Sequence, residues 1–138
     1  MVTAEHLIQH FELSPHPEGG YFKEVYRSPL TVESSVVAQS RNALTSIYFL
    51  LKAGDISRFH RVKHDETWHV YEGGGVRLTL IDPGTQQQYM VELGKDSDPL
   101  AYQYTVPAGW IQAAEPIGDY VLVGCTVAPG FDFADFSF

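Results

Sequence analysis

The stretch that decides the fold is GDISRFHRVKHDETWHVYEG, residues 54–73. Five residues separate Gly54 from His60, another five separate His60 from Glu66, and six separate Glu66 from Gly73. Both halves are rich in aromatic and β-branched residues, and a short polar segment stands between them, a pattern typical of two strands joined by a turn. A histidine and a glutamate are thus placed on two neighbouring strands.

Side chains of a strand point alternately to its two faces. His60 and Val62 therefore share one face of the first predicted strand. Along the second strand Glu66 and Trp68 share a face, whereas His69 has the opposite parity. We expect His69 to point away from Glu66 unless a bulge intervenes.

The rest of the chain indicates a mostly β protein with one short helix. Residues 3–13 are predicted to be that helix, because Thr3 can cap it and apolar residues recur at helical spacing. Residues 30–42 are largely polar and are predicted to be a mobile loop near a barrel mouth. The remaining segments give about nine short strands, at 21–28, 43–52, 56–62, 66–72, 76–82, 87–93, 102–107, 110–115 and 120–127. So many short strands indicate a sandwich or a barrel.

Length, charge and cysteine content limit what the protein can be. A chain of 138 residues is predicted to be one domain over residues 1–138, with a barrel at about 20–128 and a segment at 129–138 packed on the barrel or on a partner subunit. The net charge of −8 without a basic cluster argues against nucleic-acid binding. No apolar run could span a bilayer and no signal peptide is recognisable, so we expect a cytoplasmic protein without a membrane partner. The single cysteine, Cys125, is predicted to be a buried thiol.

The spacing within residues 54–73 resembles the first signature motif of the cupins, and PAGWIQ, residues 107–112, resembles the second. In cupins these motifs normally hold a metal ion inside an eight-stranded jelly roll. The resemblance therefore implies an all-β double-stranded β-helix, the cupin jelly-roll barrel, preceded here by a short N-terminal helix. It also places His60 and Glu66 inside the barrel.

Two histidines expected in those motifs are replaced, by Val62 and by Gln112. Catalytic metal sites usually need three protein ligands, and the candidate set here is His60, Glu66 and the weak donor Gln112. A conventional divalent metal site is therefore disfavoured, and the cofactor stays unknown. A histidine and a carboxylate in an apolar cavity can instead act as base and acid, or satisfy each other as a structural pair. Because buried ionisable groups are costly and cluster at functional sites, a ligand pocket is favoured over a structural pair.

Longer segments resemble the small, largely uncharacterised cupin family often catalogued as cupin-5, which is RmlC-like in fold. They are PEGGYFKEVYRS (17–28), LTSIYFLL (44–51), SRFHRVKHDETWHVYEG (57–73), VPAGWIQAAE (106–115) and CTVAPGFDFADF (125–136). The resemblance implies a homodimer and a cavity lined by His60, Glu66 and Gln112, with Trp68 and His69 as further pocket or mouth residues. It names no substrate, because the family has no agreed activity.

Other polar residues are secondary candidates. Glu24 and Arg27 can reach a ligand at the barrel mouth, although a salt bridge on the strand surface is the favoured interpretation. His64 falls in the predicted turn between the two strands and is expected to be exposed. Three histidines near the N-terminus are expected in solvent or at an interface: His6, His10 and His16.

Three functions follow as hypotheses. The favoured one is metal-independent binding of a small polar metabolite with epimerase-like acid–base chemistry, in which His60 is the general base, Glu66 its partner or the acid, and Gln112 orients the substrate. The second is a dioxygenase-like metal enzyme with a reduced ligand set. The third is a non-catalytic structural or interaction protein whose barrel is filled by its own side chains.

Overall fold

The computed structural model of the protein describes residues 2–138. Within that range no helix has the length and apolar character needed to cross a membrane. In chain order the elements are α1 (Ala4–His10), β1 (Ser14–Pro15), β2 (Tyr21–Arg27), β3 (Thr31–Ser34), β4 (Gln39–Asn42), β5 (Thr45–Lys52), β6 (Ser57–Val62), β7 (Asp65–Gly73), β8 (Val76–Ile81), β9 (Gln88–Leu93), β10 (Gln103–Val106), β11 (Ile111–Pro116), β12 (Tyr120–Ala128), a 3₁₀ turn (Phe133–Asp135) and β13 (Phe136–Ser137).

The strands form two main sheets and one separate hairpin. The first sheet has six strands in the order β1-β2-β5-β12-β7-β10, and the second has five in the order β13-β6-β11-β8-β9. Neighbouring strands run antiparallel, and β3 and β4 make the hairpin. This is the all-β jelly-roll barrel with a short N-terminal helix that the sequence predicts.

The core lies between the two sheets. Along β8, Val76, Leu78 and Leu80 are fully buried and alternate with half-buried residues. They belong to one apolar cluster with Phe49 and Trp68 of the first sheet. Each such side chain contributes about 2 kcal/mol of transfer free energy, so this alternation fixes which faces of the strands turn inward.

The helix α1 covers the outer side of the six-stranded sheet. Thr3 caps it by accepting a backbone N–H at 3.1 Å, as predicted. The helix ends at His10, earlier than expected, because Glu12 adopts a left-handed conformation with a φ of 55°. Leu7 packs against Leu50 in a second, smaller apolar cluster.

Residues 30–42 contain a paired hairpin, so the prediction of a loop there was wrong. They contain the β3–β4 hairpin, which pairs from Thr31 opposite Asn42 to Ser34 opposite Gln39. The polar side chains that suggested a loop bond instead to other segments of the chain. Composition alone could not reveal those distant partners.

The C-terminal residues return to the barrel. β13 pairs with β6, so that Phe136 lies opposite Val62 and Ser137 opposite Arg61. Phe136 and Ser137 of this segment therefore pack on the protein's own barrel.

A tight turn at residues 16–20 leads the chain into β2. The backbone N–H of Gly19 donates to the carbonyl of His16 at 3.0 Å, and that of His16 donates to the carbonyl of Gly20 at 2.9 Å. Gly19 has a φ of 110°, and a Cβ atom there would lie 2.0 Å from the carbonyl oxygen of Ile56. Both the conformation and the space at this position require glycine.

We expect Gly19→Ala to destabilise the protein much more than Gly54→Ala. Gly54 also has a positive φ, 91°, but a Cβ atom there would meet nothing within 4 Å. Gly54→Ala should therefore lose only about 1 kcal/mol of unfolding free energy through left-handed strain. Gly19→Ala should lose about 3 kcal/mol or more, because the Ile56 backbone must also move. Urea unfolding measures both losses, and equal values would contradict this account of the turn.

Candidate functional site

A cavity of about 70 Å³ lies at the end of the barrel where the turn 16–20 meets the C-terminal segment. Strands from both sheets supply its walls, including β2, β5, β6, β7 and β12. Its inner wall carries two histidines and two glutamates, His16, Glu18, His60 and Glu66, together with the thiol of Cys125.

His60 is almost completely buried, with 3 % of its surface exposed. Its Nδ1 lies 2.7 Å from the carbonyl oxygen of Arg58, and because a carbonyl can only accept, Nδ1 carries a hydrogen. Its Nε2 lies 2.7 Å from Oε2 of Glu18. Burial alone would lower the pKa of His60, but Glu18, together with Glu66 and the carbonyl of Arg58, outweighs burial and the net change is upward. The contact is therefore best described as an imidazolium facing a carboxylate.

Glu18 is also buried, with 6 % exposed. Its Oε2 is close to His60, yet within residues 2–138 this oxygen has no hydrogen bond of standard geometry. Coulomb attraction does not depend on a bond angle, so the pair is stabilised as an ion pair. The directional hydrogen-bonding capacity of Oε2 is left unfilled.

Glu66 faces the cavity from β7 and is supported from behind. Gln112 donates its amide N–H to Oε1 of Glu66 at 2.9 Å and accepts the indole N–H of Trp68 at 2.9 Å. An indole can only donate, so Trp68 fixes the orientation of the Gln112 amide. Burial, together with the charge of Glu18, raises the pKa of Glu66 to about 7. Glu66 therefore exchanges its proton close to neutral pH.

His16 is the fourth titratable group of the wall. Its Nδ1 accepts the backbone N–H of Glu18 at 3.1 Å, so the ring hydrogen of the neutral form lies on Nε2. Burial lowers the pKa of His16. The same Nδ1 lies 3.6 Å from Oε1 of Glu18, but this is not an ion pair, because Nδ1 lacks the proton that one would require. His16 therefore presents a neutral imidazole to the cavity.

Aromatic rings surround the polar groups. Phe136 stacks on His60 with a centroid separation of 5.3 Å and an interplanar angle of 28°. Three further phenylalanines line the cavity: Phe22, Phe131 and Phe133. These rings keep water away from the buried charges, which strengthens the electrostatic interactions among them.

An ion pair lies at the mouth. Arg27 donates to Glu24 at 2.6 Å and also binds the side chain of Asn42 and the backbone carbonyl of Phe131. Both members are more than one third exposed. The expected strand-surface salt bridge is therefore present, and it borders the cavity.

Four of the predicted site residues line the cavity: His60, Glu66, Glu24 and Arg27. Gln112 and Trp68 do not line the cavity, contrary to expectation. Both are buried behind Glu66. His69 lies on the other face of β7, where it stacks on Tyr71. His69 thus points away from Glu66, as strand parity predicts, and is not the pocket or mouth residue that the family resemblance implies.

Two other histidines differ from expectation. His64 is 3 % exposed rather than in solvent, because β3 covers it and Ser34 Oγ lies 2.7 Å from its Nε2. His16 lines the cavity instead of facing solvent. Glu18 was not singled out from the sequence at all. Its available signal was the pair of glycines after it, which permit the turn that directs this carboxylate inward.

The side chains at this site do not fit a conventional metal centre. Within residues 2–138 no group of three His, Cys, Asp or Glu residues converges in metal-binding geometry. Both ring nitrogens of His60 face protein acceptors, and Gln112 is turned to Trp68 and Glu66. Val62 supplies no donor atom. No step of the chemistry considered below involves a metal.

Comparison with known proteins places the chain in a family. The family described as Cupin_5, cupin superfamily (DUF985), matches residues 5–138. A Saccharomyces cerevisiae protein, described as uncharacterized protein YML079W, is 31 % identical in an alignment of 152 positions. The alignment covers 99 % of this chain and 75 % of that protein. A hypothetical protein from Leishmania major has a solved structure with a TM-score of 0.91 and 37 % identity, covering 99 % of this chain and 87 % of that one. Protein SO0799 from Shewanella oneidensis gives a TM-score of 0.90 and 36 % identity, covering 100 % and 85 %. Since the family match spans nearly the whole chain, this protein belongs to the Cupin_5 family of the cupin superfamily.

Proposed function

We propose that this protein binds a small polar metabolite in the cavity and transfers a proton on it, as a metal-independent isomerase or epimerase does. The observation that carries the proposal is that two carboxylates face one cavity in different environments. Glu18 contacts the imidazolium of His60, whereas Glu66 is desolvated and has a pKa of about 7. Carboxylates separated in this way suit the roles of base and acid.

Glu66 is the proton donor in this proposal. Gln112 engages Oε1 of Glu66, which leaves Oε2 to carry the proton. Glu18 is the acceptor, and its Oε2 has unfilled hydrogen-bonding capacity. His60 acts through Glu18 as a positioning residue, because its two ring nitrogens are already directed at Arg58 and Glu18. The N–H of His16 is placed to orient a polar atom of the ligand.

The size of the cavity restricts the ligand. Its volume is about 70 Å³. Pockets for drug-sized ligands measure about 300–1,000 Å³. The enclosed space therefore suits the reacting end of a metabolite, while the rest of the molecule lies at the mouth beside Glu24 and Arg27.

The small volume also favours one alternative, a non-catalytic protein whose barrel is filled by its own side chains. That alternative explains the burial of the four titratable groups as a structural network. It predicts no ligand and no turnover, so binding and proton exchange separate the two functions.

We expect His60→Ala to weaken ligand binding while His69→Ala leaves it intact. His69 lies on β7 and outside the cavity, so it controls for the loss of a histidine. Removing His60 leaves Glu18 without its buried cationic partner, which should weaken binding at least about tenfold. A metabolite library screened by thermal shift, followed by titration of the hits, provides the measurement. Equal affinities of wild type and a folded His60→Ala variant would show that His60 does not contribute to ligand binding.

We expect a bound substrate to exchange a carbon-bound hydrogen with solvent. In D₂O its proton NMR signal should disappear in the presence of wild-type protein. Glu18→Gln and Glu66→Gln should each slow this exchange by about 10²–10⁴-fold, the usual contribution of a general acid or base. A ligand that binds tightly without any exchange would support the non-catalytic alternative.

The protonation of the cavity also makes stability depend on pH. The pKa of Glu66 is raised in the folded protein from an ordinary 4.5 to about 7. The folded state thus holds this proton more tightly than the unfolded chain does, and stability decreases as the pH rises from about 4.5 to about 7. The raised pKa of His60 acts in the same direction, because its contribution is complete below 6.5 and disappears as the pH passes the folded value.

We expect Glu66→Gln to become more stable relative to wild type as the pH rises. Glutamine preserves the shape and accepts the Gln112 bond, but it has no charge to desolvate. The difference in unfolding free energy should be near zero at pH 4.5 and reach about 1–3 kcal/mol at pH 8. Urea unfolding at a series of pH values gives this difference directly. Parallel stability curves would show that Glu66 is not desolvated as described.

A further inference from the structure

A second buried polar cluster lies outside the cavity. Asp135 accepts two hydrogen bonds from Arg41, from Nε at 2.9 Å and from Nη2 at 2.8 Å. The two side chains are 2 % and 10 % exposed, so this is a bidentate pair largely removed from water. Hydrogen bonding to Arg41 lowers the pKa of Asp135. Pairs of this geometry are among the stronger polar contacts in proteins.

His64 and Ser34 complete the cluster, which we call the clamp (Ser34, Arg41, His64 and Asp135). His64 Nε2 lies 2.7 Å from Ser34 Oγ, and His64 Nδ1 lies 3.6 Å from Asp135 Oδ2. The order Ser, His, Asp is that of a hydrolase triad. However, Ser34 is 5 % exposed and none of the four residues lines the cavity. A substrate has no access to this serine, so the cluster is not assigned a catalytic role.

The clamp joins three parts of the chain that are distant in sequence. Ser34 and Arg41 belong to the β3–β4 hairpin, His64 to the turn between β6 and β7, and Asp135 to the C-terminal segment. Asp135 directly precedes Phe136, which stacks on His60. The clamp thus fixes the position of a ring that closes the cavity.

The segment held by the clamp is the aromatic wall of the cavity. We call residues 131–138 the cover, because Phe131, Phe133 and Phe136 all line the cavity. The cover is tied at its start, where the N–H of Phe131 donates to Thr45 Oγ1 at 2.8 Å. Farther along, the backbone pairing described between cover and barrel is the two-residue strand β13. Such short pairing contributes little, so beyond Phe131 the buried contact of Asp135 is the main polar attachment of the cover.

We infer that the clamp controls access to the cavity by holding the cover closed, and that breaking the Arg41–Asp135 pair allows the cover to open. The purpose of this device, admission of a ligand, rests on the proposed function. The opening itself does not, because it is a property of the chain alone. It requires β13 and the rest of the cover to separate from β6 while the other strands of the two main sheets stay folded.

Cys125 provides a probe of this opening. It is the single cysteine of the chain, it is 2 % exposed, and it lines the cavity beneath the cover. A water-soluble aromatic disulfide reagent such as DTNB reaches this thiol only when the cavity opens or the protein unfolds. The labelling rate, followed by absorbance, therefore reports the population of open molecules.

The decisive comparison uses Asp135→Asn and Arg41→Gln, with Arg77→Gln as the matched control. Arg77 also pairs with two carboxylates, Glu92 and Glu115, at a more exposed place on β8, which two strands separate from β13. In both clamp variants Cys125 should be labelled at least about tenfold faster than in wild type. Asp135→Asn leaves the buried charge of Arg41 unpaired, and Arg41→Gln leaves that of Asp135 unpaired. Arg77→Gln should label at the wild-type rate.

Low concentrations of urea distinguish local opening from global unfolding, since only global unfolding exposes a large area and responds steeply to denaturant. Faster labelling that is insensitive to low urea would establish the cover, whereas unchanged rates, or rates that follow global stability, would overturn it.

Phe133→Ala is a second test that leaves the clamp intact. Phe133 is 53 % exposed, so its removal should preserve the fold and still accelerate labelling. None of these measurements uses a ligand, so a failure of the proposed function would leave their outcome unchanged.

Discussion

The site depends on the backbone of one residue, Arg58, at the start of β6. Its N–H donates to the carbonyl of Glu18 at 2.8 Å, and its own carbonyl lies 2.7 Å from Nδ1 of His60. Its guanidinium also binds the carbonyl of Pro17. The turn that carries Glu18 and the ring that faces it are therefore aligned by the same peptide units. Because backbone groups of a strand move little, the 2.7 Å contact between the two side chains is built into the sheet.

Strand alternation, together with the resemblance to the cupins, placed part of the site from sequence. His60 and Glu66 lie inside the barrel because each occupies an inward position of a strand whose neighbours alternate in burial. The fold followed from the same periodicity and from the motif spacing. The mouth pair, Glu24 and Arg27, was also found, since both lie on the strand that follows the double glycine.

The other half of the site could not be predicted from periodicity. Glu18 and His16 lie in a turn, where side-chain direction depends on backbone angles rather than on a repeat. Gln112 was placed in the cavity by analogy, but its amide needs the indole of Trp68, a partner 44 positions away in the chain. His64 was expected in solvent because the hairpin that covers it is joined to it only in three dimensions. In each case the deciding interaction is a tertiary contact that no local pattern contains.

The replacement of a metal-ligating histidine by Val62 has a structural counterpart. Val62 is buried and pairs with Phe136 in the ladder between β6 and β13. An apolar residue at this position lets an aromatic ring lie over His60, where a metal site would need open space for ligands. The position that offers no donor atom thus lies opposite the residue whose ring stacks on His60.

The chain of hydrogen bonds from Trp68 through Gln112 to Glu66 has an optical consequence. When Glu66 loses its proton, the new charge polarises the Gln112 amide and, through its oxygen, the indole N–H of Trp68. The emission of an indole responds to the electric field along its ring. The fluorescence of Trp68, inside the barrel, therefore depends on the protonation state of Glu66 in the cavity wall.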